Sequence, residues 1–245
     1  MALALPAGAA PAEAKPGKKT AAPVADPAAS VPVASTSVFA WTSTAPLTVE
    51  AVTSQFELFD RELLSLTSRF SQHLTMLETG MATDADGTVT YLKPERLRIE
   101  RSKPERQTIV FDGKDIWVYL PLRPQAIQLS MEDLKNSDPL ASSLLQFGSY
   151  AKMLKTYDVA LDSAAGRPQL VLRPKGKTVD FTLRFQLDPE TLFPARTELA
   201  VEGMRIDSTF ADYRFNPRVD EGVFKFTPPA GTEVIRNLKP PRMSP

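Results

Sequence analysis

Few residues in this chain could carry out catalysis or bind a metal. The 245 residues include one histidine, His73, and no cysteine. Thiol nucleophiles, zinc–thiolate sites and disulfide bonds are therefore excluded, and a site built from several histidines cannot form. A catalytic triad needs a histidine beside a reactive serine, but no motif for nucleophilic catalysis surrounds Ser142 or Ser143. These counts favour a protein that binds or carries a molecule over one that transforms it.

The remaining polar clusters are better explained by strand faces and turns. His73 falls on the polar side of an alternating run, which is typical of a surface histidine. The segment Asp84-Ala85-Asp86-Gly87 has the composition of a turn between two strands. We therefore expect no metal, no cofactor and no enzymatic activity.

Charge and composition narrow the class of partner. The chain has 29 basic and 29 acidic side chains, whereas nucleic-acid-binding proteins usually carry a basic excess, so we expect no nucleic acid partner. A hydrophobic fraction of 42% is sufficient for a packed core. Between residues 91 and 106, six Lys and Arg accompany three Glu. This local excess is either the solvated outer face of a sheet or a patch for an acidic partner or anionic lipid headgroups.

The two ends of the chain differ from its middle. Residues 1–40 are rich in Ala and Pro and lack hydrophobic periodicity before Phe39, so we interpret them as a signal remnant followed by a disordered linker. The alternative is that this whole tail is linker. Residues 41–235 are predicted to form one domain, and residues 236–245 a C-terminal tail.

The middle of the chain alternates between two periodicities. Thr48 can cap a helix whose apolar positions Val52, Phe56 and Phe59 recur at helical spacing. A second helix is predicted over 139–155, starting at Asp138-Pro139. The rest consists of short alternating runs separated by turn signals about every ten residues, which predicts antiparallel strands. The last predicted strand is Phe224–Phe226.

Together these elements predict a mainly β fold. A sheet of about ten short antiparallel strands usually curls into a barrel or splits into a sandwich. A completely closed barrel would leave the two apolar helices without a surface to cover. We therefore expect a curved, incompletely closed antiparallel β-barrel covered by helices, with an apolar cavity between them. An ordinary solid core between sheet and helices is the alternative.

An ordered series of short motifs runs from residue 70 to residue 231. The series comprises Phe70-x-Gln72, Gly87-x-Val89, Lys93-Pro94, Arg98-Ile99, Lys103-Pro104, Val110-x-Asp112-Gly113-Lys114, Ile116-Trp117-x-Tyr119, Gln125, Gln128, Asp138-Pro139, Leu144-Leu145, Leu172-x-Pro174-Lys175 and Phe224-x-Phe226-x-Pro228-Pro229-x-Gly231. In this order the motifs resemble the outer-membrane lipoprotein carrier family (LolA-like proteins). The resemblance covers about residues 47–235.

The resemblance implies a fold and a function. The fold would be an unclosed β-barrel of about 11 strands with an α-helical lid over a cavity for lipoprotein acyl chains. The protein would be a periplasmic carrier that takes lipoproteins from an inner-membrane ABC transporter to an outer-membrane acceptor, without catalysing a reaction. We expect it to be a monomer. Two alternatives remain: a paralogue that carries another lipid or senses lipoproteins, and a structural envelope module that carries nothing.

Within that fold, the apolar positions that alternate along the strands are candidates for lining the cavity. The candidate cavity residues are Phe70, Leu74, Val89, Tyr91, Leu97, Ile99, Ile109 and Trp117 from the strands and Leu140, Leu144, Leu145 and Leu154 from the lid. Ile116 and Trp117 are both apolar, so the alternation does not fix which of them faces inward. The family commonly places an Arg before the Pro that ends its second strand, where it contacts the lid. Here that position is Lys93, the predicted lid latch, which keeps the charge but lacks the planar fork of Arg.

Overall fold

The computed structural model of the chain describes residues 36–137, 148–162, 167–176 and 181–236. Its strands are β1 (Ser65–Met76), β2 (Ala82–Leu92), β3 (Arg96–Lys103), β4 (Gln107–Phe111), β5 (Asp115–Leu120), β6 (Gln125–Ser130), β7 (Tyr157–Asp162), β8 (Gln169–Pro174), β9 (Phe181–Leu187), β10 (Pro194–Val201), β11 (Met204–Phe215) and β12 (Glu233–Arg236). Its α-helices are α1 (Val49–Glu62), α2 (Met131–Ser137) and α3 (Tyr150–Leu154), and short 3-10 helices span Thr36–Phe39 and Glu221–Phe224. Most of the two predicted tails lies outside the described residues.

The described strands form one twelve-stranded sheet. Their order is β12-β6-β5-β4-β3-β2-β1-β11-β10-β9-β8-β7. Neighbouring strands are antiparallel except for β12 and β6, which run parallel. Among these strands β12 and β7 are the two edges and no ladder joins them, so the sheet is not closed. The predicted mainly β, unclosed fold is confirmed, with twelve strands where about eleven were expected.

The end of the chain differs from the prediction. Phe224–Phe226 is not a strand, because the 3-10 helix Glu221–Phe224 occupies its start and the Asp220 carboxylate accepts a hydrogen bond from the Gly222 amide at 2.9 Å. The last strand instead follows the Pro-Pro-Ala-Gly turn, at Glu233–Arg236. There it adds a parallel edge to the sheet beside β6.

Alternation divides the sheet into two faces. In β9, Phe181, Leu183, Phe185 and Leu187 are buried while the residues between them are only partly covered. The buried side chains of the strands join those of α1 and α3 in one hydrophobic core. We call the side of the sheet that faces this core the inner face and the opposite side the outer face.

The turn predicted at Asp84–Gly87 is wrong, because these residues lie within β2. The connection between β1 and β2 lies at 77–81, where Gly80 has a φ of 69° and donates its amide to the Met76 carbonyl. Gly87 has a packing role instead. It pairs with Phe70, and the ring of Phe70 occupies the space that a β-carbon at residue 87 would need. A glycine within a strand commonly marks such a close approach.

The predicted start of α1 is confirmed. Thr48 has an extended backbone, and its hydroxyl accepts a hydrogen bond from the Ala51 amide at 3.2 Å. The second predicted helix, 139–155, is described only at its end, where α3 spans Tyr150–Leu154. Its predicted start at Asp138-Pro139 lies outside the described residues, and α2 was not predicted. No helix in the described part of the chain is both long and apolar enough to cross a bilayer.

Candidate functional site

The structure brings most of the strand candidates together on the inner face. Six of them are at most 3% exposed and belong to the same core: Phe70, Val89, Tyr91, Leu97, Ile99 and Ile109. Leu154 of α3 is buried against this set, and Leu74 packs on its edge. Leu140, Leu144 and Leu145 lie outside the described residues. These inner-face candidates therefore form a continuous apolar surface, most of which is buried in this conformation.

Trp117 is not part of that surface. Its neighbours Ile116 and Val118 point into the core, whereas the Trp117 ring lies on the outer face, 5.5 Å from the ring of Phe226. The same phenylalanine covers Tyr119, also at 5.5 Å. The inward assignment of Trp117 is corrected: Ile116 takes the inward place. Both faces of β5 are apolar because the segment after β11 covers its outer face.

An aromatic cluster joins the helices to one end of the sheet. Its members are Phe39, Phe56, Phe59, Tyr150, Phe193 and Phe215. Phe59 of α1 lies at its centre, stacked on Phe39 at 4.7 Å and edge-on to Tyr150 of α3 at 6.3 Å. Gln55 fixes the segment before α1, because its side-chain amide donates hydrogen bonds to the main-chain carbonyls of Phe39 and Thr191. This cluster holds α1 and α3 over the inner face.

Lys93 contacts the end of α1. Its ammonium group donates to the carbonyls of Asp60 at 2.8 Å and Arg61 at 3.1 Å. The next carbonyl, that of Glu62, accepts from the Asn216 side chain at 2.9 Å. The last carbonyls of a helix lack partners within the helix, and a cation is favourable there. Lys93 and Asn216 therefore cap α1 from the sheet.

We expect Lys93→Leu to lower the free energy of unfolding by about 1–2 kcal/mol, because two helix-terminal carbonyls lose a charged donor. Lys93→Arg should retain most of this stability, since the planar guanidinium group can reach two carbonyls at once. The measurement is urea denaturation followed by circular dichroism. Lys103→Leu is the matched control: this lysine also precedes a proline, but its ion pair with Asp86 is exposed, so its loss should be small. Equal losses for the two leucine variants would contradict the capping role.

Asp60 is a site residue that the sequence analysis missed. One carboxylate oxygen accepts the Tyr150 amide at 2.6 Å and the other accepts the Ala151 amide at 2.9 Å. Burial raises the pKa of the Asp60 carboxyl above its ordinary value, although the amides of Tyr150, Ala151 and Lys152 and the charge of Lys93 act in the opposite direction. The signal was present in the sequence: an acid in the last turn of a helix meets the negative end of the helix dipole and needs compensating partners.

Tyr91 lies where the chain enters α3. Burial, together with the nearby charges of Asp60 and Glu95, raises the pKa of Tyr91 to about 12, so its hydroxyl stays protonated at neutral pH. That hydroxyl donates to the Pro94 carbonyl at 3.3 Å. The main chain at Gly148, which has a φ of 73°, packs against the Tyr91 hydroxyl. A β-carbon at residue 148 would collide with the Tyr91 hydroxyl.

A groove of about 790 Å³ crosses β4, β3, β2, β1 and β11. Much of its lining lies on the outer face, because Arg69, Thr88, Thr108 and Thr209 each precede a core residue in their strands. Hydroxyl and charged groups dominate these positions. Among the described candidate residues Phe70 alone lines this groove, so the groove does not coincide with the candidate cavity.

The basic residues between 91 and 106 are partly neutralised. Arg96 pairs with Glu221 at 2.7 Å, Arg98 pairs with Glu100, and Lys103 pairs with Asp86 at 3.1 Å. The arrangement fits the solvated outer face of a sheet better than a free cationic patch.

Comparison with known proteins identifies the family. The family described as "Outer membrane lipoprotein carrier protein LolA" matches residues 61–227. The outer-membrane lipoprotein carrier protein of Xanthomonas oryzae pv. oryzae is 30% identical over 210 residues, which cover 83% of this chain and 94% of the relative. That of Neisseria meningitidis serogroup B is 25% identical over 208 residues, which cover 82% and 97%.

The solved structures that match include a LolA superfamily protein from Nitrosomonas europaea. Its TM-score is 0.47 at 14% sequence identity, and the match covers 74% of this chain and 99% of that chain. The family match alone spans more than half of the 245 residues. The chain belongs to the outer membrane lipoprotein carrier protein LolA family.

Proposed function

We propose that this protein is a periplasmic carrier that encloses the acyl chains of lipoproteins between the inner face of its sheet and the helices above it. It receives lipoproteins from an inner-membrane ABC transporter and delivers them to an acceptor at the outer membrane. The observation that carries the proposal is an unclosed sheet whose inner face is apolar and covered by short helices, in a chain of the LolA family. An unclosed sheet can change its curvature and admit a ligand without breaking a closed ring of strand pairs.

The energetics of the cargo explain why an apolar surface is needed. Each methylene group removed from water contributes about 0.8 kcal/mol, so one long acyl chain contributes on the order of 10 kcal/mol. A lipoprotein without such protection would leave water for the nearest membrane or aggregate. The carrier must therefore offer a dry surface and must also open to release its cargo.

The conformation described is a closed one. Tyr91, Leu97 and Ile99 are each at most 1% exposed and belong to the same core as the buried residues of α1 and α3. An acyl chain reaches them only if one of the covering elements moves. α1 is capped from the sheet by Lys93 and Asn216, whereas α3 has only five residues. We therefore assign the movement to α3.

A second candidate function is favoured by the same burial. If the inner face stays packed at all times, the protein is a structural envelope module with a solid core and carries nothing. Titration of the full chain with a dansyl-labelled fatty acid separates the two candidates. The carrier function predicts saturable fluorescence enhancement that unlabelled palmitate reverses, and the structural module predicts no saturable binding.

Variants locate the binding surface. Leu97→Asp places a charge in the middle of the inner face and is expected to abolish probe binding. Leu74→Asp, at the partly buried edge, should weaken binding and has a smaller risk of unfolding the protein. Thr88→Asp on the outer face is the control and should bind like the wild type. Circular dichroism verifies folding for each variant. Probe binding that survives both inner-face substitutions in folded protein would refute the proposed surface.

A further inference from the structure

We define residues 148–154, which comprise Gly148, Ser149 and α3, as the lid segment. It contacts α1, β7, the aromatic cluster and the core. Gly148 lies on the Tyr91 hydroxyl, Tyr150 inserts into the aromatic cluster, and Leu154 reaches the core. Two of these contacts involve candidate cavity residues, Tyr91 and Leu154. Lifting the lid segment would therefore expose part of the candidate cavity.

One side chain of α1 makes polar contacts to this segment. The two oxygens of Asp60 each accept one backbone amide, from Tyr150 at 2.6 Å and from Ala151 at 2.9 Å. These amides stand at the start of α3, where no intrahelical carbonyl is available to them. A carboxylate is a strong acceptor for these amides, because it is charged and offers each amide its own oxygen.

The main chain of Asp60 is also attached to the sheet. The main-chain carbonyl of Asp60 accepts the Lys93 ammonium group at 2.8 Å, and Lys93 donates its own amide to the Leu64 carbonyl at 2.8 Å. Asn216 joins the adjacent turn of α1 to the ends of β1 and β11. Asp60 is thus held by its backbone to the sheet and by its side chain to the lid segment. Lys93, the predicted latch, contacts Asp60 and Arg61 of α1, and the Asp60 side chain in turn makes the polar contacts with α3.

We propose that Asp60 is the positioning residue that keeps the lid segment closed over the cavity, so that breaking its two amide contacts is the step that admits and releases cargo. The inference rests on the proposed carrier function. Partial burial gives this contact a moderate strength: the ionised carboxylate loses hydration when the lid segment closes and regains it when the segment opens. A contact balanced in this way can hold the closed form and still open during each transfer.

The test uses the full chain and two variants. Asp60→Asn keeps the size of the side chain but leaves one acceptor oxygen for two amides, and Asp60→Ala removes both acceptors. Native-state hydrogen exchange at the Tyr150 and Ala151 amides should accelerate about tenfold or more in both variants, because each amide loses a hydrogen bond to a charged group. The dissociation rate of the dansyl-labelled fatty acid should increase by a similar factor. Asp112→Asn is the matched control, since Asp112 also accepts two amides, from Lys114 and Asp115, but in the turn between β4 and β5.

The outcomes separate this proposal from the carrier function itself. Unchanged exchange at Tyr150 and Ala151 would overturn the role of Asp60, and so would acceleration spread evenly over the sheet. Faster exchange with an unchanged probe dissociation rate would also overturn it, because the contact would then not control the cavity. If the wild type binds no probe, the carrier function fails, whereas accelerated exchange confined to the lid segment would still establish the contact as its restraint.

Discussion

Replacing Phe59 with alanine is expected to lower the free energy of unfolding by about 3–5 kcal/mol. Phe59 is fully buried at the centre of the aromatic cluster, with ring centroids of Phe39, Phe193 and Phe215 at 4.7, 5.8 and 5.4 Å. Truncation removes the transfer free energy of the ring and leaves a cavity that rigid neighbouring rings cannot fill. It also removes several aromatic contacts, each contributing about 0.5–1.5 kcal/mol.

The expected loss is a large part of the total, since domains of this kind unfold with about 5–15 kcal/mol. Urea denaturation should therefore show a midpoint shifted to much lower urea with an unchanged slope. Phe59→Leu should lose less, because it leaves a smaller cavity. Leu64→Ala, which truncates a side chain 58% exposed just beyond α1, is the control and should change stability by less than about 0.5 kcal/mol. A Phe59→Ala loss as small as that of Leu64→Ala would show that the cluster does not anchor α1.

The inner face of the sheet could be predicted from the sequence because it obeys a simple rule. Where one face of a strand is buried and the other is exposed to solvent, apolar residues occur at every second position. Phe70, Leu97 and Ile99 follow this rule, and all three lie in the core. The cap of α1 at Thr48 was also predictable, since it depends on residues within one turn of each other.

The errors arise where a distant segment decides the outcome. Trp117 is apolar because Phe226, more than a hundred residues later, covers the outer face of β5. Gly87 follows two aspartates and therefore has the local composition of a turn, yet the main-chain carbonyl of Glu100 and the ring of Phe70, on the two adjacent strands, leave no room for a β-carbon there. In both cases packing against a segment that is distant in the sequence overrides the local preference, and local composition does not reveal such packing.

Asp60 shows a third kind of limit. Its unfavourable place in the last turn of α1 was visible in the sequence, but its partners were not, because they are backbone amides about ninety residues away. Backbone donors carry no sequence signature. A polar contact of this kind becomes visible only once the fold places α3 beside the end of α1.

Gly87→Ala is expected to cost about 2–4 kcal/mol by a purely steric mechanism. The φ of Gly87 is not in the left-handed region, so an alanine would not strain the backbone there. Its β-carbon, however, would collide with the main-chain carbonyl of Glu100 and lie 2.7 Å from the Phe70 ring. A side chain can rotate away, but a carbonyl in the β2–β3 ladder can move only if the two strands separate.

The double variant Gly87→Ala/Phe70→Leu tests this distinction. Leucine removes the ring, so Gly87→Ala should cost less stability in the Phe70→Leu background than in the wild type. The collision with the Glu100 carbonyl persists, so the cost should not disappear. Gly80→Ala is the matched control: nothing lies within 4 Å of its β-carbon, and only its φ of 69° opposes the change, at about 1 kcal/mol. Thermal unfolding of the four variants measures these differences. If Gly87→Ala costs no more than Gly80→Ala, strands β2 and β3 are free to separate at this point, and the inner face near Phe70 is more adaptable than its packing indicates.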